Sequence, residues 1–143
     1  MQDMDRIVAD ASVIVKLFVR EEYTEHAIEL RDRCISEEIE LVEPNLLIYE
    51  VLNAIRYNKA KKFNLEELKM VVNSLYGYEF NITELDHDMA MRTIDISIKY
   101  GTTIYDSVYV ALAQTKHAEL YTADGDLING TKLPFIKHIK DFK

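Results

Sequence analysis

Near its start the chain reads Ile7-Val8-Ala9-Asp10-Ala11-Ser12-Val13-Ile14, and this stretch decides the predicted fold. The apolar residues 7–9 predict a buried strand that ends at Asp10. Apolar residues resume at Val13 and predict a helix, for which Ser12 is a plausible N-cap. A strand that passes through a tight turn into a helix is the first half of a βαβ unit. The stretch therefore predicts a parallel sheet with an acidic residue at the carboxyl end of its first strand.

Apolar runs alternate with amphipathic stretches along the rest of the chain. Asn64, Asp86 and Asp106 stand where helix N-caps are expected, and Gly101 stands where a helix should stop. We expect further strands over residues 40–42, 81–85, 120–122 and 134–136, and helices over residues 24–38, 45–61, 64–77, 86–101 and 106–117. This alternation predicts an α/β fold of three layers, α/β/α, with a central parallel sheet.

Length and composition fit a single domain over residues 1–143. No linker, repeat or low-complexity segment divides the chain, and its 48% hydrophobic residues can bury a core, which excludes a disordered protein. The one cysteine cannot form an internal disulfide, and residues 1–6 carry acids where a signal peptide is basic. No apolar run reaches the roughly 18 residues of a membrane span. We therefore expect a cytoplasmic protein that does not associate with a membrane.

The charge of the chain bears on its partners. A net charge of −8 disfavours a non-specific nucleic-acid binder, whose affinity comes from bases that neutralise phosphates. It does not exclude a nuclease, because a divalent cation cancels the charge of acidic ligands locally. One basic run without any acid consists of Arg56, Lys59, Lys61 and Lys62. These bases either complement a helix C-terminus and keep the surface soluble, or contact substrate phosphates.

Four acidic residues are predicted to lie at one edge of the sheet. They are Asp10 and Asp124 after the first and fourth strands, Asp106 at a helix start, and Glu50 on the third helix. Singly, each could be a cap, a turn or loop residue, or a helix residue that faces solvent. Glu50 interrupts an apolar stripe and has no base one turn away, so its carboxylate needs another partner. Together the four indicate a site for a hard divalent cation, Mg²⁺ or Mn²⁺.

Four segments of the chain carry a family resemblance. Residues 8–13, 50–54, 105–113 and 121–127 read VADASV, EVLNA, YDSVYVALA and YTADGDL. In this order and within a chain of this length they resemble the PIN domain family, most closely its VapC-type toxins. Any one motif is weak, but the four together are a strong signal, and the likeness spans the whole chain.

The resemblance implies a metal-binding catalytic tetrad for RNA cleavage, formed by Asp10, Glu50, Asp106 and Asp124. The three aspartates would be the ligands of Mg²⁺ or Mn²⁺, and Glu50 would orient or deprotonate the attacking water. The expected reaction is hydrolysis of an RNA phosphodiester, which leaves a 5′-phosphate and a 3′-hydroxyl. No Walker A or G-x-G-x-x-G sequence supports a nucleotide cofactor.

Supporting roles and partners follow from the same resemblance. The family has a hydroxyl residue where Ser12 stands, an Asn where Asn53 stands and often a Thr where Thr122 stands. Asp126 could add a ligand, cap the next turn or do neither. As the toxin of a type II toxin-antitoxin pair, the protein is expected to bind a cognate antitoxin and to form a homodimer.

Other functions stay open at this point. A stand-alone RNA-processing nuclease would have the same motifs, and a PIN-fold interaction protein would keep the fold without cleavage, although the complete tetrad argues against it. A haloacid-dehalogenase-like phosphatase needs a second Asp two positions after Asp10, where Ser12 stands. A receiver-like signalling domain normally has paired acids near the end of its first strand, and the chain offers only Asp10 there.

Overall fold

A five-stranded parallel sheet forms the centre of the fold. The structure is a computed structural model that describes residues 4–143, so the start of the acidic segment 1–6 lies outside the described residues. The strands are β1 (Asp5–Ala9), β2 (Ile39–Pro44), β3 (Asn81–Thr83), β4 (Glu119–Thr122) and β5 (Ile136–His138). Their order across the sheet is β3-β2-β1-β4-β5, and every neighbouring pair is parallel.

Helices connect successive strands. They are α1 (Ala11–Ile14), α2 (Thr24–Ile35), α3 (Leu46–Arg56), α4 (Leu65–Gly77), α5 (His87–Tyr100), α6 (Ile104–Lys116) and α7 (Gly125–Thr131). A short 3₁₀ turn, Val15–Leu17, continues α1, and a second one, Ile139–Asp141, follows β5. None of the helices within residues 4–143 is long and apolar enough to cross a membrane.

The sheet is covered by helices, and one of them is buried along its middle two turns. Helix α6 contacts β1, β2 and β4, and its residues 107–113 are all buried. Helices α1 and α2 contact β1 and β2 respectively, and α3 packs on α1 and α4. The central strands β1, β2 and β4 are buried along most of their length, which is typical of a parallel sheet between two helical layers. The predicted three-layer α/β/α fold is confirmed.

Two predicted helix caps are wrong. Asp10, not Ser12, is the N-cap of α1, because its side chain accepts the N–H of Ser12. Thr103, not Asp106, is the N-cap of α6, because the Thr103 hydroxyl accepts the N–H of Asp106. Helix α6 therefore begins two residues before Asp106. The exposed residues Ile104 and Tyr105 fill its first turn, and they give no apolar periodicity that would reveal the helix start.

The predicted helix over residues 45–61 is too long. Helix α3 ends at Arg56, and the N–H groups of Ala60 and Lys61 turn to the side-chain oxygen of Asn58. Such a local side-chain acceptor competes with helix continuation. Lys59, Lys61 and Lys62 consequently lie in the loop before α4 and not on α3 as expected.

Several other predicted helix starts and ends are confirmed. Asn64 caps α4 in a capping box with Glu67, Asp86 caps α5, and Gly101 ends α5 in the left-handed conformation.

Strands β2 and β3 are added on one side of β1, and β4 and β5 on the other. The strand order therefore reverses between the neighbours β1 and β4. Parallel sheets bind ligands outside the carboxyl ends of the strands at this point. The segments after β1 and β4 therefore carry the candidate site.

Candidate active site

Asp10 is held by the first residues of α1. The side chain is only 6% exposed, and its Oδ1 accepts the N–H of Ser12 at 3.1 Å and the Ser12 hydroxyl at 2.5 Å. Burial raises the pKa of Asp10 to about 6, although the hydroxyls of Ser12 and Thr122 act in the opposite direction, and the charge of Asp106 raises it further. The carboxyl group is thus fixed in orientation and binds a proton more readily than an exposed aspartate.

Ser12 joins the ends of β1 and β4. Its Oγ accepts the N–H of Ala123 at 2.9 Å and lies 3.4 Å from the hydroxyl oxygen of Thr122. Thr122 is fully buried, and its hydroxyl accepts the N–H of Asp124 at 3.0 Å. A continuous set of hydrogen bonds therefore runs from Asp10 through Ser12 to the segment that carries Asp124.

Asp124 is half-buried and begins α7. Its Oδ1 accepts the N–H of Asp126 at 2.9 Å, so one oxygen is used as the helix N-cap. The side chain of Asp126 is exposed. The cap fixes the Asp124 carboxylate at the carboxyl end of β4.

Glu50 is anchored across the site by a tyrosine. The hydroxyl of Tyr109, on α6, donates to Oε1 of Glu50, on α3, at 2.6 Å. Tyr109 is 1% exposed, and burial together with this bond raises its pKa far above the usual value. Burial also raises the pKa of Glu50, the hydrogen bond from Tyr109 lowers it, and the charge of Asp106 raises it. Glu50 therefore has one fixed and one available carboxylate oxygen.

Asp106 is electrostatically coupled to the other three acids. It lies half-buried in the first turn of α6, where burial raises its pKa, the charge of Asp124 raises it further, and the hydroxyl of Thr103 lowers it. Its charge in turn raises the pKa of Asp10 and of Glu50. Of the four acids, Asp106 is therefore the one whose charge acts on the pKa of both Asp10 and Glu50.

The donor set of the four acids fits a hard divalent cation. No Lys, Arg or His within residues 4–143 forms an ion pair with any of them. Carboxylate oxygens are the ligands that Mg²⁺ and Mn²⁺ prefer. In the described part of the chain, however, no three acidic, His or Cys side chains are close enough to form a ready-made metal cluster. An ion at this site would have to draw the carboxylates together or bind some of them through water.

The remaining predicted site residues lie farther from this network. Asn53 is exposed on α3, and no hydrogen bond within residues 4–143 joins its amide to Glu50. The basic run borders a separate pocket of about 430 Å³ that Arg56, Lys59 and Lys62 line together with Tyr57, Asn58 and Phe63. Lys61 does not line that pocket.

Lys61 differs from the other bases of the run. Its Nζ forms an ion pair with Glu67 at 3.5 Å and lies 4.6 Å from the ring centroid of Phe63. Arg56 also lies over a ring, that of Tyr57, at 4.9 Å, so the ion pair with Glu67 is what sets Lys61 apart. Lys61 therefore offers less to a phosphate than the three bases that line the pocket.

Glu43 is a buried acid that the sequence did not single out. On β2 it is 0% exposed, its Oε1 accepts the N–H of Ala9 at 2.6 Å, and its Oε2 has no hydrogen-bond partner in the described structure. Burial raises its pKa well above the usual value of a glutamate.

The sequence analysis also did not single out Tyr109 and Lys16. The signal for Tyr109 is its spacing of three residues from Asp106, one helical turn on α6.

Comparison with known proteins identifies the family of the chain. The family model for the PIN domain matches residues 7–132. Ribonuclease VapC3 of Pyrobaculum aerophilum is 32% identical over 126 residues, which cover 85% of this chain and 92% of the relative.

Solved structures share the fold. A toxin-antitoxin complex from Klebsiella pneumoniae aligns with a TM-score of 0.67 at 20% identity, over 90% of this chain and 93% of that one. The sarcin-ricin loop cleaving toxin VapC20 of Mycobacterium tuberculosis aligns with a TM-score of 0.65 at 12% identity, over 86% and 93% of the two chains. At these identities the likeness concerns the fold alone. Because the family model covers most of the residues, the chain belongs to the PIN domain family.

Proposed function

We propose that the protein is a metal-dependent endoribonuclease, acting as one nuclease domain over residues 1–143, and the toxin of a type II toxin-antitoxin pair. The observation that supports this most is a set of four acids that have no basic ion-pair partner within residues 4–143. Two of them, Asp10 and Asp124, follow β1 and β4 and are linked by hydrogen bonds through Ser12 and Thr122. The 32% identity to a ribonuclease over most of the chain supports the same reaction.

Asp10, Asp106 and Asp124 are the proposed ligands of Mg²⁺ or Mn²⁺. Their oxygens are of the right chemical type. The charge of Asp106 raises the pKa of Asp10, and the charge of Asp124 raises the pKa of Asp106. When bound, the ion supplies positive charge that stabilises the negative charge developing on the phosphate oxygens.

Glu50 is the proposed general base. Its Oε1 is held by Tyr109, so Oε2 is the oxygen available to take a proton from the attacking water. The water oxygen forms a bond to phosphorus, the bond from phosphorus to the 3′ oxygen breaks, and that oxygen takes up a proton from solvent. The products are a 5′-phosphate and a 3′-hydroxyl. The raised pKa of Glu50 makes it a stronger base than an exposed glutamate.

Four polar residues are proposed to support the acids. Ser12 and Thr122 hold Asp10 and the backbone of Asp124 in place through their hydroxyls. Asn53, one helical turn after Glu50 on α3, is proposed to hold substrate or a carboxylate from the solvent side. Asp126 is proposed to act through the backbone, by way of the cap that fixes Asp124.

The basic run is proposed to bind the phosphates of the substrate strand outside the cleavage site. Arg56, Lys59 and Lys62 line one pocket and form no ion pair within residues 4–143. Lys61 belongs to the same run but is held by Glu67. Unpaired bases beside an exposed tyrosine, Tyr57, suit a single-stranded RNA with exposed bases and phosphates.

The partners proposed are an antitoxin and a second copy of the chain. Structural neighbours include a toxin-antitoxin complex and two VapBC proteins bound to DNA, which supports an antitoxin as partner. The antitoxin is proposed to close the acidic site. Met91, Ile94 and Ile98 are exposed along one face of α5, and such an apolar stripe favours a homodimer. Light scattering of wild type and of Ile98→Lys tests the dimer: we expect two copies for wild type and one for the variant.

Product analysis tests the nuclease function. The purified protein should cut a single-stranded RNA internally and leave 5′-phosphate ends, which a 5′-phosphate-dependent exonuclease then degrades. Internal cuts that leave 5′-hydroxyl ends would contradict the proposed step, in which the bond from phosphorus to the 3′ oxygen breaks. The toxin assignment is tested separately by expression alone and with the neighbouring small open reading frame. Rescue of growth and co-purification support the toxin, whereas cleavage without either favours an RNA-processing enzyme.

A further inference from the structure

Lys16 is a buried base beside the acidic site. It lies on the 3₁₀ turn Val15–Leu17 and is 7% exposed. Its Nζ donates to Oε1 of Glu21 at 3.3 Å, and this is its one ion pair within residues 4–143. An ammonium group has three donors, so two remain for another acceptor. Burying a lysine is costly, and a single partner that is itself 41% exposed offsets only part of that cost.

The position of Lys16 links it to the catalytic group. It follows Ser12 by four residues, one helical turn, so both side chains lie on the same side of α1 and its 3₁₀ continuation. Both line a pocket of about 340 Å³, together with Glu21 and Glu50. The rest of the lining is small or apolar: Ala11, Val15, Ala54 and Ala123. The pocket thus borders the proposed general base.

The chemistry of this pocket favours an anionic group of the substrate. Lys16 is the one basic residue in its lining, and of the two acids there Glu21 pairs with Lys16 and Glu50 is held by Tyr109. The small side chains of Ala11, Ala54 and Ala123 leave room for a sugar-phosphate backbone. A buried ammonium attracts a phosphate more strongly than an exposed one, because less water screens the charges. The pocket shares no lining residue with the one formed by Arg56, Lys59 and Lys62.

We propose that Lys16 binds a non-bridging oxygen of the phosphate next to the scissile phosphate in a single-stranded RNA. In the free protein the carboxylate of Glu21 pairs with the ammonium group of Lys16. This ion pair breaks when the phosphate enters the pocket. Lys16 is then a substrate-binding residue that sets the position of the strand relative to Glu50. This assignment rests on the ribonuclease function proposed above.

Two substitutions on either side of the ion pair test the assignment. Lys16→Met removes the charge at similar length, and KM for a single-stranded RNA should rise about tenfold, the value of one charge-assisted hydrogen bond. The dependence of log KM on log salt should become shallower by about 0.7, as expected for one phosphate contact on a single strand. Glu21→Gln removes the competing carboxylate, so KM should fall. Lys16→Arg keeps the positive charge, so its KM should stay close to that of wild type.

Matched controls and a modified substrate separate this role from a structural one. Lys69→Met and Glu66→Gln break an exposed ion pair elsewhere and should leave KM unchanged. A single neutral methylphosphonate, moved along the RNA one linkage at a time, should weaken binding to wild type at a linkage next to the cleavage site. Lys16→Met should lose its sensitivity at that same linkage and keep it elsewhere.

The outcomes are distinct. If wild type cleaves RNA and Lys16→Met keeps the wild-type KM and salt dependence, the assignment is overturned while the nuclease function stands. If Lys16→Met and Glu21→Gln raise KM equally and both lower Tm, the pair is structural and the assignment is also overturned. Failure of wild type to cleave any RNA would instead overturn the proposed function, on which the assignment depends.

Discussion

The hydroxyl of Tyr109 donates a 2.6 Å hydrogen bond to Oε1 of Glu50 and thereby ties α6 to α3 across the acidic site. Tyr109 is almost fully buried, whereas Glu50 is partly accessible. A buried neutral donor of this kind favours the charged form of the carboxylate that it contacts. The bond therefore fixes the orientation of the proposed base and moderates the rise in its pKa that burial and Asp106 cause.

Tyr109→Phe should shift the pH dependence of cleavage. Without the hydroxyl the pKa of Glu50 rises further, so the acidic limb of the kcat/KM profile moves to higher pH. We expect about a tenfold loss of activity on the acidic side, the size expected for a hydrogen bond to a charged group, and a smaller loss above neutral pH. Tyr76→Phe removes an exposed hydroxyl and serves as the control. A uniform loss at all pH values would mean that the hydroxyl acts on packing and not on the base.

Asp106→Asn should stabilise the protein when no metal is present. Ionised Asp106 is disfavoured in the fold because its pKa is raised, so the penalty exists above that raised value and disappears as pH falls toward about 4. Thr103 caps α6, so the substitution leaves the cap intact. In EDTA at pH 7 the variant should melt a few degrees above wild type, with the difference closing at acidic pH.

Mg²⁺ should reduce the difference in Tm between Asp106→Asn and wild type. Mg²⁺ binds the folded state, so it should raise Tm of wild type more than that of Asp106→Asn. Asp88→Asn changes a first-turn aspartate of α5 and is the matched control for both experiments. Equal stabilisation of all three proteins by Mg²⁺ would show that Asp106 is not a ligand.

Glu43→Gln should change how stability depends on pH. The folded state holds the proton of Glu43 more tightly than the unfolded chain does, since burial raises its pKa. Wild type therefore loses stability as pH rises above the usual range of a glutamate, and the variant lacks this loss. We expect Tm of the variant relative to wild type to increase from about pH 4.5 to pH 8. Glu66→Gln is the exposed control, and an identical profile for both variants would contradict the effect of burial.

The basic run should contribute to substrate binding through three of its four members. Joint replacement of Arg56, Lys59 and Lys62 by Ala should raise KM for RNA and make its salt dependence shallower by about 0.7 for each phosphate that is no longer bound. Lys61→Ala should have a weaker effect, because Glu67 already pairs with Lys61. An unchanged KM and salt slope in the triple variant would mean that the run serves solubility.

The sheet and the positions of Asp10 and Asp124 in the candidate site could be predicted from the sequence because they depend on local patterns. Asp10 and Asp124 directly follow apolar strands, and parallel strands bring such positions to one edge of the sheet. Helix starts were predicted where the cap is a single strong signal, as at Asn64, and missed at Thr103, where the first turn of the helix is exposed.

The residues that sequence reasoning missed depend on tertiary contacts. Glu43 is the second-last residue of β2 and is buried because β2 lies inside the sheet, between β1 and β3. Lys16 sits among apolar residues, and its burial follows from the 3₁₀ turn and the pocket beside Ser12. The residues around Glu43 and Lys16 in the sequence form no pattern that would tell a buried charge from an exposed one. Only the packed structure makes that distinction.

Single-turnover cleavage of one RNA by wild type and by amide variants of the four acids tests the metal-dependent site most directly. With Mg²⁺ or Mn²⁺, Asp10→Asn, Glu50→Gln, Asp106→Asn and Asp124→Asn should each lose at least about a hundredfold in rate, the lower end of what a positioned acid, base or charge-stabilising group contributes. Asp88→Asn should cleave like wild type. Excess EDTA should abolish wild-type cleavage, and restored Mg²⁺ should recover it. Cleavage by highly purified wild type that persists in EDTA, or wild-type rates in the four variants, would contradict a metal-dependent site built from these carboxylates.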